Sequence, residues 1–280
     1  VKIILADSAG FCFGVKRATQ LAFEAAEKNP DICSLGPIIH SPQVVKALEE
    51  KGVKVVDRVE DIQASEVIIR SHGITAEELD HIRSRNLNLV DATCPFVKKA
   101  QDYATLLCSE GYSVVLVGEK DHPEVQGIIS YTRGETVYVV ADSAEARRLP
   151  SKTKIGIVAQ TTQSFENLVQ VANVCLEKSK EVRVFNTICD ATSVRQEEAR
   201  KIACEVDLML VVGGFNSANT TRLAQICKDI QGRTYHVETV DQIDSCWFEG
   251  VETVGITAGA STPRRIIDEV VDCVKRMGGK

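Results

Sequence analysis

Three segments of the chain open on a cysteine and run on into similar helical patterns, and this repeat limits the available folds more than composition does. They are Cys12-Phe-Gly-Val-Lys-Arg-Ala, Cys94-Pro-Phe-Val-Lys-Lys-Ala and Cys189-Asp-Ala-Thr-Ser-Val-Arg, each placed after a strand-like run. The residue 28 positions beyond each cysteine is polar and lies near a helix start: His40, His122 and Ser217. Each unit then has a later apolar run that ends in a polar cluster, Arg70-Ser-His-Gly, Ala159-Gln-Thr-Thr and Ala258-Gly-Ala-Ser-Thr. Ligands of open α/β sheets bind beyond the carboxyl ends of the strands, so three such units direct their loops at one centre. The expected organisation is three small lobes around a shared site, spanning residues 1–93, 94–188 and 189–280, with the C-terminal tail packing on the first lobe. The boundaries are soft, because Cys94 and Cys189 stand at strand-to-helix junctions inside continuous structure.

Short β-branched runs recur along the chain: Val67–Arg70, Val114–Val117, Val137–Val140, Ile155–Val158, Leu208–Val212 and Thr253–Thr257. Continuous rather than alternating apolar character marks them as buried strands of parallel type. Amphipathic stretches lie between them, namely Val15–Lys28, Pro42–Lys51, Phe96–Glu110, Ser164–Lys178, Val194–Cys204 and Pro263–Met277. The class is therefore α/β. Val1–Asp7 reads as a first strand, Glu145–Lys154 as a surface connection and Gly278-Gly-Lys as a frayed tail.

A chain of 280 residues with 44% hydrophobic content can bury a sizeable core. Its net charge of -6, without a Lys/Arg run, argues against nucleic acid as a partner. No apolar stretch approaches the roughly 18 residues of a membrane span, and no signal peptide is evident, so a cytoplasmic protein is expected. Ten cysteines lack any C-x-x-C pair, which leaves zinc ribbons and thioredoxin-like motifs poorly supported.

Cysteines at the starts of helices have thiolates favoured by the positive end of the helix dipole. Three of them suit either a zinc with an open position or a cubane iron–sulfur cluster with one iron left for substrate. An isolated cytosolic cysteine is usually a small hydrophobe. The repeated setting singles out Cys12, Cys94 and Cys189, and the other seven are expected to pack. His40, His72, Ser217, Asn219 and Ser261 are neutral or cationic donors on loops before helices, a composition suited to an anion, although Ser and Asn there also serve as plain N-caps. In His122-Pro-Glu124 an imidazole and a carboxylate two residues apart can move protons, or can simply cap a helix. His81 and His236 have no partner at the repeated offset and are expected to be surface or structural residues.

Gly10-Phe-Cys-Phe-Gly-Val-Lys-Arg-Ala, Arg70-Ser-His-Gly, Asp91-Ala-Thr-Cys-Pro, Asp121-His-Pro-Glu-Val, Gln160-Thr-Thr, Asn186-Thr-Ile-Cys, Asn216-Ser-Ala-Asn and Thr257-Ala-Gly-Ala-Ser occur in this order. Together they closely resemble the 4-hydroxy-3-methylbut-2-enyl diphosphate reductases, the last enzymes of the methylerythritol phosphate route to isoprenoids. The resemblance runs over essentially the whole chain. It implies a trefoil of three α/β lobes around a [4Fe–4S] cluster, with Cys12, Cys94 and Cys189 on three irons and the fourth open to substrate. It further implies that His40, His72, His122, Ser217, Asn219 and Ser261 hold the diphosphate, together with the backbone N–H of Ala218. Thr161, with Thr162 as its neighbour, is implied near the substrate hydroxyl, and Glu124 is implied as the proton donor. Many relatives have a second serine where this chain has Ala218, so a hydroxyl contact is lost there. The implied reaction reduces an allylic diphosphate alcohol with electrons from a partner such as ferredoxin or flavodoxin. Other readings are a non-redox hydro-lyase or quinolinate synthase-like enzyme, a cluster-based redox sensor and a three-cysteine zinc hydrolase. The first two enzyme types act on carboxylates and call for Arg clamps, whereas these loops offer His, Ser, Thr and Asn with only Arg70 nearby.

Overall fold

A computed structural model of the protein describes residues 1–133 and 136–277; the Gly278-Gly-Lys segment, expected to fray, lies outside the described residues. Among the described residues twelve strands form three four-stranded sheets. One has the order β3 (Lys54–Val56), β2 (Ile32–Leu35), β4 (Glu66–Ile69), β5 (Asn88–Asp91), and all its pairings are parallel. A second runs β7 (Val137–Val140), β6 (Ser113–Val117), β8 (Lys152–Ala159), β9 (Ser179–Val184), again all parallel. The third is β11 (Thr234–Val237), β10 (Leu208–Val212), β12 (Thr253–Ala258), β1 (Lys2–Leu5), also all parallel. Connecting segments form helices α1 (Phe13–Lys28), α2 (Pro42–Glu49), α3 (Ala76–Ser84), α4 (Pro95–Ser109), α5 (Pro123–Ser130), α6 (Ser143–Ala146), α7 (Phe165–Lys178), α8 (Asp190–Glu205), α9 (Ala218–Ile230) and α10 (Arg264–Met277).

The α/β class and the three parallel sheets are as expected, and all seven anticipated strands, the first at Lys2–Leu5 included, are present. The three sheets share one topology: the first strand of each lies second in the sheet, the next forms one edge, and two more follow on the other side. In the third sheet the last of these places is taken by β1, from the opposite end of the chain. This corrects the expectation that residues 1–93 form one lobe, because Lys2–Leu5 hydrogen-bonds beside Thr253–Ile256 rather than joining the sheet of residues 32–91. Each motif cysteine follows the fourth strand of a sheet: Cys12 follows β1, Cys94 follows β5 and Cys189 follows β9. The expected surface connection at Glu145–Lys154 includes the end of α6 and the start of β8.

By internal contacts the chain forms two units, one comprising Val1–Lys16, His40–Val45 and Asp190 onward, the other Arg17–Ile39 and Lys46–Cys189. In the first unit, Leu208, Leu210 and Val212 of β10 join Val254 and Ile256 in one core, while Met209 and Val211 point into another with Ala199, Ile202 and Leu223. A strand buried on both faces needs apolar residues at every position, which is why β10 reads as an unbroken apolar run. The second unit repeats the pattern. Val115, Val117, Ile155 and Ile157 face one core, and Val114, Leu116 and Val158 face another.

Packing in the second unit is tight enough to demand a glycine within β8. A Cβ on Gly156 would stand 2.7 Å from both terminal methyls of the fully buried Leu107. Gly156→Ala is expected to destabilise the protein by about 1–3 kcal/mol, through overpacking, in a denaturant titration.

The other cysteines divide. Cys33, Cys175, Cys227 and Cys273 are buried as packing residues, but Cys204 and Cys246 are exposed, contrary to expectation. Cys204 lies in the last turn of α8, and Cys246 lies in the 3-10 turn Ser245–Phe248, where both are turned out of the core. Among the described residues no helix is long and apolar enough to cross a membrane.

Candidate active site

In the second unit, residues beyond the carboxyl ends of five strands are tied into one polar path. Pro123 starts α5, and His122 is its N-cap. The imidazole Nδ1 accepts the Glu124 N–H at 3.1 Å, so a neutral ring carries its proton on Nε2. The capping reading of His122 is thus present, and it also fixes the tautomer. Glu124, in the first turn, is almost wholly buried, with 1% of its surface exposed. Its carboxylate accepts the Thr161 backbone N–H at 2.6 Å and the Thr161 hydroxyl at 2.9 Å. Burial pushes the Glu124 pKa up to about 7, the bonds from Thr161 oppose that rise, and the nearby charge of Glu119 adds to it.

Thr161 sits just past β8, and its carbonyl accepts the Cys189 N–H at 3.1 Å. At the other end, the His122 ring meets His72 edge to face, with centroids 5.5 Å apart. His72 lies in the tight loop after β4, where Gly73 adopts a left-handed φ of +77° and donates its N–H to Arg70 O. The neighbouring Ser71 carbonyl accepts the Cys94 N–H at 2.9 Å. The path therefore runs from Cys189 through Thr161, Glu124, His122 and His72 to the Cys94 backbone. Thr162, half-buried, follows Thr161 and adds no bond to the path. Arg70 Nε donates to the Gly73 carbonyl at 3.2 Å, which engages its guanidinium as a loop staple.

The first unit holds Cys12, His40, Ser217, Ala218, Asn219 and Ser261. The Cys12 N–H donates to Ala260 O at 3.2 Å, beside Ser261 in the loop after β12. His40 and Ser261 line a cleft of about 240 Å³ together with Gly213, Gly214, Glu238 and Ile266. Ser217 is the N-cap of α9, its hydroxyl accepting the Thr220 N–H at 3.4 Å. Ala218 opens the helix, where the amide has no intrahelical acceptor and is suited to an anion. Asn219 is 6% exposed, and its Nδ2 is buried without a hydrogen-bond partner. A donor held out of water in this way costs free energy until something accepts from it.

The Gly213–Ser217 loop is gripped by the end of β11, which the sequence did not disclose. Val237 O accepts the Gly213 N–H at 2.9 Å, His236 Nε2 meets Gly213 O at 2.8 Å, and Glu238 accepts the Phe215 N–H at 2.8 Å. His236 is therefore structural, as expected, and anchors this loop. The available signal was the glycine pair itself, since a loop of this composition needs anchors outside itself to hold one shape.

Asn219→Leu tests the orphan donor. The empty protein is expected to gain or keep stability, because a buried unpaired amide is removed, while affinity for inorganic diphosphate falls about 10-fold or more, as for a lost hydrogen bond to a charged group. Paired melting and titration calorimetry check both signs.

The cysteines fit a metal cluster by their donor chemistry. Cys12, Cys94 and Cys189 are all half-buried at the entrances of helices, and Val15 N–H points at Cys12 Sγ at 3.4 Å. Cys94 is the N-cap of α4. By contrast, burial pushes the thiols of Cys175 and Cys227 up to about 11 and about 12, which disfavours the thiolates that bind metal.

Fold and site together define an α/β protein of three parallel sheets, with polar residues and helix-entry cysteines placed past the strand ends in each unit. The chain belongs to the LytB protein family, whose pattern matches residues 3–275. It is 79% identical over 277 residues to a 4-hydroxy-3-methylbut-2-enyl diphosphate reductase of Syntrophotalea carbinolica, covering 99% of each chain. It is 60% identical over 280 residues to the reductase of Geobacter sulfurreducens, covering 100% of this chain and 99% of that one. A solved structure of (E)-4-hydroxy-3-methyl-but-2-enyl diphosphate reductase, the terminal enzyme of the non-mevalonate pathway, shares 46% identity over 99% of each chain, with a TM-score of 0.69. The Plasmodium falciparum reductase structure matches at 27% identity and a TM-score of 0.90, covering 97% of this chain and 87% of that one. The expected family resemblance holds.

Proposed function

We propose that the chain reduces (E)-4-hydroxy-3-methylbut-2-enyl diphosphate to isopentenyl and dimethylallyl diphosphate, taking up two electrons and two protons and releasing water. The reading is carried by identity to named reductases along the whole chain, together with a buried acid whose pKa suits proton donation at neutral pH. In this reading Cys12, Cys94 and Cys189 hold a [4Fe–4S] cluster as thiolates. Such a cluster supplies electrons and, through an iron with no protein ligand, Lewis acidity.

The chain's own residues do the rest. His40, His72, His122, Ser217, Asn219, Ser261 and the N–H of Ala218 bind the diphosphate. These are neutral donors or imidazoles able to take a proton, and Asn219 Nδ2 gains the acceptor it lacks in the empty protein. Thr161, with Thr162 beside it, faces the substrate hydroxyl. Thr161 Oγ and the Glu124 carboxyl are within hydrogen-bonding distance, so the pair can form a relay once Glu124 is protonated: the bond reverses, the carboxyl donates its proton to Thr161 Oγ, and the Thr161 proton, turned from Glu124 to the departing oxygen, passes to it. Burial of Glu124 leaves a substantial fraction of that carboxyl protonated near pH 7, where an exposed glutamate would already be ionised.

The lobe division at residues 93/94 and 188/189 belongs to the same proposal, with β1 reassigned to the third lobe. A ferredoxin or flavodoxin is the proposed electron donor, and the cytoplasm the proposed compartment. The test is anaerobic turnover of the hydroxymethylbutenyl diphosphate by reconstituted protein with a chemical reductant and a dye. Formation of both products supports the reading. An intact cluster spectrum without turnover overturns it in favour of a hydro-lyase or a sensor.

A further inference from the structure

The loop that delivers Cys12 is held chiefly by one helix. Between Ala6, whose N–H donates to Ile256 O in the sheet, and Cys12, whose N–H donates to Ala260 O, the backbone turns through Asp7, Ser8, Ala9 and Gly10. Within this stretch Ala9 N–H bonds back to Ala6 O. Two α8 side chains hold much of the remaining polar backbone. The Glu198 carboxylate accepts the Asp7 N–H at 2.7 Å, the Ser8 N–H at 2.9 Å and the Ser8 hydroxyl. Arg195, 3% exposed, donates from one terminal nitrogen to Ser8 O at 2.7 Å and Gly10 O at 2.8 Å. Ser8 is thus held at its N–H, its hydroxyl and its carbonyl at once.

Arg195 and Glu198 are three residues apart and project from one side of the helix. The guanidinium meets the carbonyls of Ser8 and Gly10 while the carboxylate meets the amides of Asp7 and Ser8, so each charge is matched to backbone groups of complementary polarity along one turn of chain. Gly10 completes the bend with a left-handed φ of +102°, and a Cβ there would stand 3.1 Å from Ile267 Cδ1. The loop therefore has little room to take another path. In sequence, α8 begins at the residue after Cys189, so the helix that follows one motif cysteine grips the loop leading to another.

We propose that Arg195 and Glu198 are positioning residues for Cys12, clamping its loop so that the thiolate is presented in a fixed place for cluster binding. The inference rests on the reading of Cys12 as a cluster ligand. The clamp bonds to Asp7, Ser8 and Gly10 of the loop rather than to Cys12 itself. It acts through Ser8 and Gly10 on where Cys12 stands, and it governs how long the cluster stays bound. Partners that orient a metal ligand without touching the metal typically contribute about 10–100-fold in affinity.

The experiment uses the full chain, reconstituted anaerobically with iron and sulfide, and follows loss of visible absorbance after addition of a ferrous chelator. Glu198→Gln retains one acceptor oxygen and turns donors toward Ser8, so its cluster is expected to be lost about 10-fold faster than that of the wild type. Ser8→Ala, which removes only the hydroxyl bond, is expected to give a smaller acceleration. Arg195→Lys, lacking the guanidinium geometry, should fall between them, with an altered electron paramagnetic resonance spectrum of the reduced cluster. Gly156→Ala serves as a control destabilised elsewhere, and Cys12→Ser as a control for the ligand.

Faster loss in the clamp variants, with Gly156→Ala close to wild type, supports the proposal. A Glu198→Gln rate equal to wild type, with Cys12→Ser depleted of iron, overturns the clamp and leaves the ligand reading intact. Gly156→Ala losing its cluster as fast as Glu198→Gln at a matched drop in melting temperature also overturns the clamp, because general destabilisation then accounts for the effect. Cys12→Ser holding as much iron as wild type, and equally long, overturns the ligand reading and the clamp with it.

Discussion

Glu124→Gln is expected to lower kcat by about 10²–10⁴-fold with little change in KM, since amide nitrogen cannot supply the proton that a positioned carboxyl delivers. The side chain keeps its length and can still accept from Thr161, so the site should keep its shape. The pH dependence sharpens the test. With a pKa raised to about 7, the wild-type acid is protonated below neutrality, and turnover should fall progressively above pH 7. Thr161→Val removes the relay hydroxyl and with it a hydrogen bond that favours the charged carboxylate, so turnover should drop, and the alkaline limb of the residual turnover should move to higher pH as the Glu124 pKa rises. An unmoved limb in that variant, or unchanged turnover in Glu124→Gln, removes Glu124 from the proton path.

The same group has a stability signature. Its folded pKa lies above the ordinary value of 4.5, so between about pH 4.5 and 7 the folded state binds a proton that the unfolded state has released. Stability contributed by the neutral carboxyl is present at low pH and lost as pH rises through about 7, amounting to about 3 kcal/mol. Glu124→Gln lacks this ionisation. Its stability relative to wild type should therefore improve from pH 5 to pH 8, which denaturant titrations at the two pH values can measure.

Cys189→Ser is expected to abolish turnover and leave the reconstituted protein depleted of iron and sulfide. Serine is a far weaker ligand for iron at neutral pH, because its hydroxyl does not ionise there as a helix-entry thiol does. The Cys189 backbone bond to Thr161 O should survive the substitution, so the fold and the Glu124–Thr161 pair are expected to persist. Circular dichroism like that of wild type, combined with an absent cluster spectrum, separates loss of a ligand from loss of structure. Cys204→Ser is the matched control: it changes an exposed cysteine on the same helix and should leave cluster and turnover unchanged.

Much of this was legible in the sequence, for physical reasons that also mark the limits. Strands buried on both faces leave unbroken apolar runs, so β4, β6, β7, β8, β10 and β12 announce themselves. The cysteine-led repeat located Cys12, Cys94 and Cys189 because each stands at the same kind of junction. Glu124 and Thr161 were each singled out, yet the bond between them was not readable: they are 37 residues apart and meet only because β6 and β8 are neighbours in their sheet. The pairing of β1 with β12 was hidden for the same reason, since parallel partners leave no turn between them. The positions of Cys204 and Cys246 depended on which way a helix end and a short turn face, which a count of apolar neighbours does not show. Nor did local composition reveal that Asn219 carries an unpaired donor or that His236 holds a glycine loop.

The pairing of β1 with β12 also bears on biosynthesis. On the ribosome, residues 2–5 emerge long before their partners at 253–256. The sheets of residues 32–91 and 113–184 can close as their own segments appear, but the third waits for β12. Bringing together partners so distant in sequence makes this a slow, late closure. Until then the strand that leads to Cys12 lacks its partner in the sheet. In the proposed reading, cluster insertion consequently waits for β12, and a chain truncated before residue 253 should accept no complete cluster even with its three cysteines already synthesised.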